Sequence, residues 1–236
     1  MRGLLFTAII AATAATACAA KDTVDPGPVT ARNFQVGDFK HIESAGSYEV
    51  TVRTGARPSV RAEGPQNIVD RLIVEVRGDR LSIRPKKGNF HWGRSEPVRI
   101  AVTVPELREA STAGSGSISV DKVAGDRFKA TITGSGDVSL PSVNARSVQI
   151  EVAGSGSGRL AGRADEAQYV ITGSGEVDAS KLKSRDVRLT IAGSGSLAAN
   201  ASGNVSGEVL GSGAARISGG ARCSVTKAGS GSVACS

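Results

Sequence analysis

A Gly-Ser-Gly triplet returns along the second half of this chain at a nearly fixed interval, and that interval restricts the fold more than any other property of the sequence. The first glycines are Gly114, Gly134, Gly154, Gly173, Gly193, Gly211 and Gly229, spaced by 20, 20, 19, 20, 18 and 18 residues. Linkers are also rich in Gly and Ser, but they do not keep a period with β-branched residues on both flanks. The triplets are therefore expected to be structural corners.

Aligning the repeats on the first glycine gives each flanking position a role. Two residues before it stand Thr112, Ile132, Val152, Ile171, Ile191, Val209 and Lys227; four before it, Ala130, Ile150, Tyr169 and Leu189; six before it, Phe128, Val148, Ala167, Val187, Val205 and Cys223. Four residues beyond it come Ile118, Val138, Gly158, Val177, Leu197 and Ala215, and six beyond it Val120, Leu140, Leu160, Ala179, Ala199, Ile217 and Cys235. Apolar residues with a period of two define half-buried strands. The alternate positions, such as Lys129, Thr131, Gln149 and Glu151, should face water.

Equivalent residues in successive repeats stack into columns if each repeat is one coil of a parallel β-helix. Two glycines per coil let the chain turn with no Cβ in the way. Seven coils at about 4.8 Å would make a rod of roughly 34 Å. A meander with a hairpin at each triplet also keeps both flanks on one face, whereas a propeller repeat is about twice as long. Aromatic residues make up 3% of the chain and glycine numbers 30, which suits a narrow core of Val, Ile, Leu and Ala. The expected fold is all-β: a single-domain parallel β-helix with coils of about 20 residues over 32–236.

Within it, 105–236 carries the seven Gly-Ser-Gly coils and 32–104 reads as an N-terminal cap with irregular coils, since terminal repeats of a solenoid are atypical. The stretch from Phe39 to Val52 looks like a degenerate coil with Ala45-Gly46-Ser47 at its corner. Alternating segments follow at Ser59–Ala62, Leu72–Val76, Arg80–Arg84 and Val98–Val104.

An ordered set of motifs runs through Phe34, Ser44-Ala45-Gly46-Ser47-Tyr48-Glu49-Val50, Asp79-Arg80-Leu81-Ser82-Ile83, Val102-Thr103-Val104-Pro105-Glu106-Leu107 and Ala113-Gly114-Ser115-Gly116. In this it resembles the head GIN family of auto-transporter adhesins from bacterial envelopes. The resemblance implies a right-handed parallel β-helix in an exported, adhesin-like protein, and it supplies no catalytic residues. An auto-transporter has a C-terminal membrane barrel, whereas the last repeat here runs directly to Ser236.

The N-terminus points to export. Met1-Arg2 is a short basic region, Leu4 to Ala15 is apolar, and small residues follow, as in a secretory signal over 1–19. Ala15-Thr16-Ala17-Cys18 resembles a lipobox that would leave Cys18 acylated; ordinary cleavage after small residues fits as well. Residues 20–31 read as a tether. No later stretch has the roughly 20 apolar residues of a membrane span, so a lipid anchor would be the membrane attachment. The formal charge is +7, but export and the absence of a Lys/Arg run argue against nucleic acid.

Chemistry is sparse. His41 and His91 are the two histidines, no His/Cys cluster has metal-ligand spacing, Asp165-Glu166 reads as a charged turn between strands, and the serines of the triplets lack a partnered base. No cofactor is expected. The Lys86–Arg94 stretch holds the one tryptophan, and Phe90, Trp92 and Arg94 are candidate contacts for a partner of the envelope, a glycan or a protein. Cys223 and Cys235 lie six residues either side of Gly229, at inward positions of one coil, and an oxidising compartment would let them form a disulfide. The leading functional reading is a non-catalytic exported protein of adhesin type. A periplasmic or lipid-anchored scaffold or signalling accessory is the alternative, and a polysaccharide-acting β-helix enzyme is a third.

Overall fold

The computed structural model describes residues 27–87 and 97–236. The strands are β1 (Val29–Phe34), β2 (His41–Gly46), β3 (Glu49–Thr54) and β4 (Ser59–Pro65), then a single helical turn, α1 (Gln66–Val69), followed by β5 (Leu72–Arg77), β6 (Arg80–Pro85), β7 (Arg99–Val104), β8 (Glu109–Gly114) and β9 (Ser117–Val120). The repeats supply β10 (Val123–Gly134), β11 (Asp137–Gly154), β12 (Ser157–Gly173), β13 (Glu176–Gly193), β14 (Ser196–Ala201), β15 (Asn204–Gly211), β16 (Ala214–Ser218), β17 (Arg222–Ala228) and β18 (Ser232–Cys235).

From β8 onward every pairing between repeats is parallel, one coil apart in sequence. Ile132, Val152, Ile171, Ile191 and Val209 are successive Cα partners in one column, as a parallel β-helix requires and a hairpin meander forbids. Each coil has three inward runs. Around Gly134 these are Phe128, Ala130 and Ile132, then Val138 and Leu140, then Val143 and Ala145, all buried. The outward faces between them are polar. Asp165 and Glu166 do not lie in a loop between strands: they sit within β12 where it bends between two faces, because the chain rounds that corner without leaving the ladder.

The two corner glycines serve different ends. Gly193 has φ +123°, a left-handed conformation that side chains disfavour. Gly195 needs no unusual φ. A Cβ there would lie 2.5 Å from Ile171 Cγ2 and 2.8 Å from Gly175 O in the coil before it. The first glycine makes the turn and the second lets coils approach. Backbone bonds such as Ser194 N to Gly173 O (2.9 Å) and Ser196 N to Gly175 O (3.0 Å) carry the ladder through the corner.

At the N-terminal end the order along the axis departs from the order along the chain. β2 lies between β6 and β8, and β3 between β7 and β9. The first coil in sequence, with Gly46 the Cα partner of Gly114, is thus second in the stack. β5 pairs antiparallel with β6, β4 with β7, and β1 with β4. Val60, Ala62, Val69 and Leu72 from these cap elements are buried in the same hydrophobic core as the columns.

Candidate functional surface

The inward positions are filled by buried, mostly aliphatic side chains, so the polar groups that could meet a partner stand on the outward faces. Two shallow depressions stand out. One, about 400 Å³, lies over Ala101 and is framed by Glu49, Thr51, Arg53, Arg99 and Thr103. Small Ala101 makes its floor between longer side chains on the neighbouring strands β3 and β4. Arg99 is held by Glu49 (3.4 Å) and Arg61 by Glu63 (3.8 Å). The other, about 350 Å³, is framed by Ser147, Glu166, Gln168, Asp186, Arg188 and Asn204 on successive coils. There the Arg185 guanidinium (2.8 Å) and then the Asn204 backbone N–H (3.0 Å) hold the Asp186 carboxyl below its ordinary range.

Groups that resemble catalytic parts are not assembled into a site. His41 Nδ1 lies 3.3 Å from Asp79, but among the described residues no hydroxyl is bonded to that imidazole. The corner serines from Ser115 to Ser230 are exposed, and the backbone N–H groups of Ser135, Ser155, Ser174, Ser194 and Ser212 are spent on the glycine carbonyl of the coil before. Among the described residues no three His, Cys, Asp or Glu side chains are grouped to hold a metal, and no helix is long and apolar enough to cross a membrane. Inside the core, the hydroxyls of Tyr169 and Ser184 approach one another without normal hydrogen-bond geometry. Burial raises the Tyr169 phenol well above its usual pKa.

Of the residues singled out in the sequence, Cys223 and Cys235 are joined in a disulfide with Cα atoms 6.6 Å apart. By register they continue the columns of Val205 and Ile217, yet both are exposed, since no coil covers them on the far side among the described residues. Cys18, His91, Phe90, Trp92 and Arg94 fall outside the described residues. The residues on either side of the last four are placed: Pro85 ends β6, and Val98 O accepts from Glu49 N at 3.0 Å. A group that reading by eye passes over is Arg159, Arg163, Lys181 and Lys183. They are about 20 residues apart in pairs and never form a run, but Arg163 and Lys183 are Cα partners across β12 and β13. Extending the repeat alignment past the second inward run would have revealed them.

Fold and surface together define a solenoid whose parallel coils are filled with mostly aliphatic columns and whose charged residues point outward. Residues 38–221 match the family described as "Putative auto-transporter adhesin, head GIN domain", and the chain belongs to that family. A "putative adhesin" from Bacteroides fragilis has the same fold, with 22% identity over 89% of this chain and 97% of its own and a TM-score of 0.83. A "putative lipid binding protein" from Parabacteroides distasonis is 26% identical over 89% and 97% of the two chains, with a TM-score of 0.74. A "putative adhesin" from Parabacteroides merdae is 19% identical over 89% and 97%, with a TM-score of 0.66. No curated protein matches the chain.

Proposed function

We propose that this chain is a non-catalytic protein of the bacterial cell envelope that makes contacts through the outward faces of a rigid solenoid. The observation that carries this is the contrast between inside and outside. The interior is a set of buried, mostly aliphatic columns, while the outward positions are polar and differ in charge from coil to coil. Membership of an adhesin-type family supports the reading, and so does the resemblance of the N-terminal residues to a secretory signal.

The test uses intact producing cells. A protein of this kind should fractionate with the envelope and be reached by external protease or antibody, and the purified chain should bind envelope preparations without altering them chemically. Recovery in the cytoplasm, or release of sugars or acyl groups by the purified protein, would overturn the proposal. Envelope fractionation without external access would favour a periplasmic scaffold instead.

A further inference from the structure

One group of exposed cations makes no short ion pair. Arg163 and Lys183 stand side by side on the third outward face, Lys181 is at the corner leading to it, and Arg159 is on the last outward position before that corner. All four are exposed. None of them forms an ion pair with a described carboxylate, whereas Arg146 is paired with Asp126 (3.6 Å) and Arg185 with Asp186 (2.8 Å). Asp178, the Cα partner of Arg159, partly offsets Arg159 and Lys181, but its hydrogen bonds come from the Oγ (2.6 Å) and N (3.1 Å) of Ser180, and it does not lie beside Arg163 and Lys183 in the ladder. Asp165, two residues past Arg163, sits at the next bend near Arg185.

Like charges in register across a ladder are unfavourable, so the pair needs a reason. The fold does not supply one. In the coil before, Asn144 is the Cα partner of Arg163; in the coil after, Asn200 is the partner of Lys183. A neutral side chain therefore satisfies the same backbone position twice, and the column from Asn144 to Asn200 holds no carboxylate.

The geometry points to Arg159, Arg163, Lys181 and Lys183 as a docking edge for the phosphate groups of an anionic membrane surface, met by two adjacent coils of the solenoid. This rests on the envelope location proposed above. No aromatic platform of the kind that grips a glycan accompanies the four cations, since the aromatic residue of β12 and β13, Tyr169, is buried. Nor can the edge insert into lipid: among the described residues the exposed large apolar side chains are Val29 and Leu210, neither of them here. Long, exposed cationic side chains suit a field of headgroup phosphates, held by charge alone and hence sensitive to salt.

The experiment is co-sedimentation of the full chain, carrying Cys18→Ala to exclude acylation, with vesicles of phosphatidylcholine alone or mixed with phosphatidylglycerol. Binding should require phosphatidylglycerol and fall steeply with added salt. Arg163→Gln/Lys181→Gln/Lys183→Gln should weaken it at least tenfold with unchanged thermal unfolding, while Arg57→Gln/Arg77→Gln in the N-terminal part should bind as the parent does. Equal binding to both vesicles, or full binding by the triple variant, would overturn the assignment. So would tight binding of inorganic phosphate, or of a soluble anionic polysaccharide with no vesicle binding. If vesicle binding fails while the parent still binds envelope preparations, this edge is wrong and the envelope role stands.

Discussion

At the scale of single residues, the glycines separate into those the fold needs and one it does not. Gly158 lies in the inward column between Val138 and Val177 without a left-handed φ. A Cβ there would meet Ile150 Cγ2, Val177 Cγ2 and Ile132 Cδ1 at 3.6, 3.7 and 3.9 Å, which is ordinary contact. Gly158→Ala should stabilise the chain by about 0.5–1 kcal/mol through unfolded-state entropy. Gly207→Ala should do the reverse and cost more than about 2 kcal/mol, since φ is +148° and the new methyl would collide with the Leu189 carbonyl. Urea denaturation of the two variants checks both signs. The tyrosines define a pH limit. Burial raises Tyr48 to about 12 and Tyr169 further still, so both stay neutral in the folded chain while unfolded tyrosines ionise near pH 10. Their contribution to stability is complete below about pH 10 and is lost as pH rises through the folded values. Phenolate absorbance should therefore rise together with loss of β-structure above pH 10; titration of either tyrosine at its ordinary pKa in folded protein would contradict this.

At the scale of the elements, a coil is stabilised by stacking on two neighbours, and the columns carry that stacking. Ile171 is fully buried between Val152 and Ile191. Ile171→Ala should cost about 2–5 kcal/mol by removing apolar contact and leaving a cavity. Corner substitution acts by another route. Gly195→Ala would push Ile171 and the Gly175 carbonyl out of place, so the loss should appear as separation of β13 from β14 as well as lower global stability. Hydrogen exchange distinguishes the two: Ser196 N, bonded to Gly175 O, should lose protection in Gly195→Ala and keep its rank in Ile171→Ala.

At the scale of the molecule, a stack of coils unfolds from its ends unless they are held. The N-terminal end is held by β1, β4 and β5, which run antiparallel and bury Val60, Ala62 and Leu72 against the first coil. β17 and β18 are tied instead by the disulfide across 12 residues. In the chain-entropy model a loop of that size stabilises by roughly 3 kcal/mol. Reduction, or Cys235→Ser, should therefore release β17 and β18 to exchange early while β10–β13 keep their protection. Uniform loss of protection along the whole stack would show that the ends and the middle unfold as one unit.

The sequence by itself determined the repeat, the strands and the inward columns, because a side chain's face follows from alternation and a coil's length from the spacing of its corners. Ile132 to Val209 could be placed in one column without coordinates, and so could the meeting of Cys223 with Cys235. It did not determine that β2 and β3 would slip between β6–β7 and β8–β9. That choice is made by pairings across long sequence separations, where a strand's own pattern is equally satisfied by any neighbour of the right alternation. The cationic edge escaped notice for a related reason: Arg163 and Lys183 are 20 residues apart and become neighbours only when the register of β12 on β13 is fixed. Alternation encodes which way a residue points, and only the stacked coils decide what stands beside it.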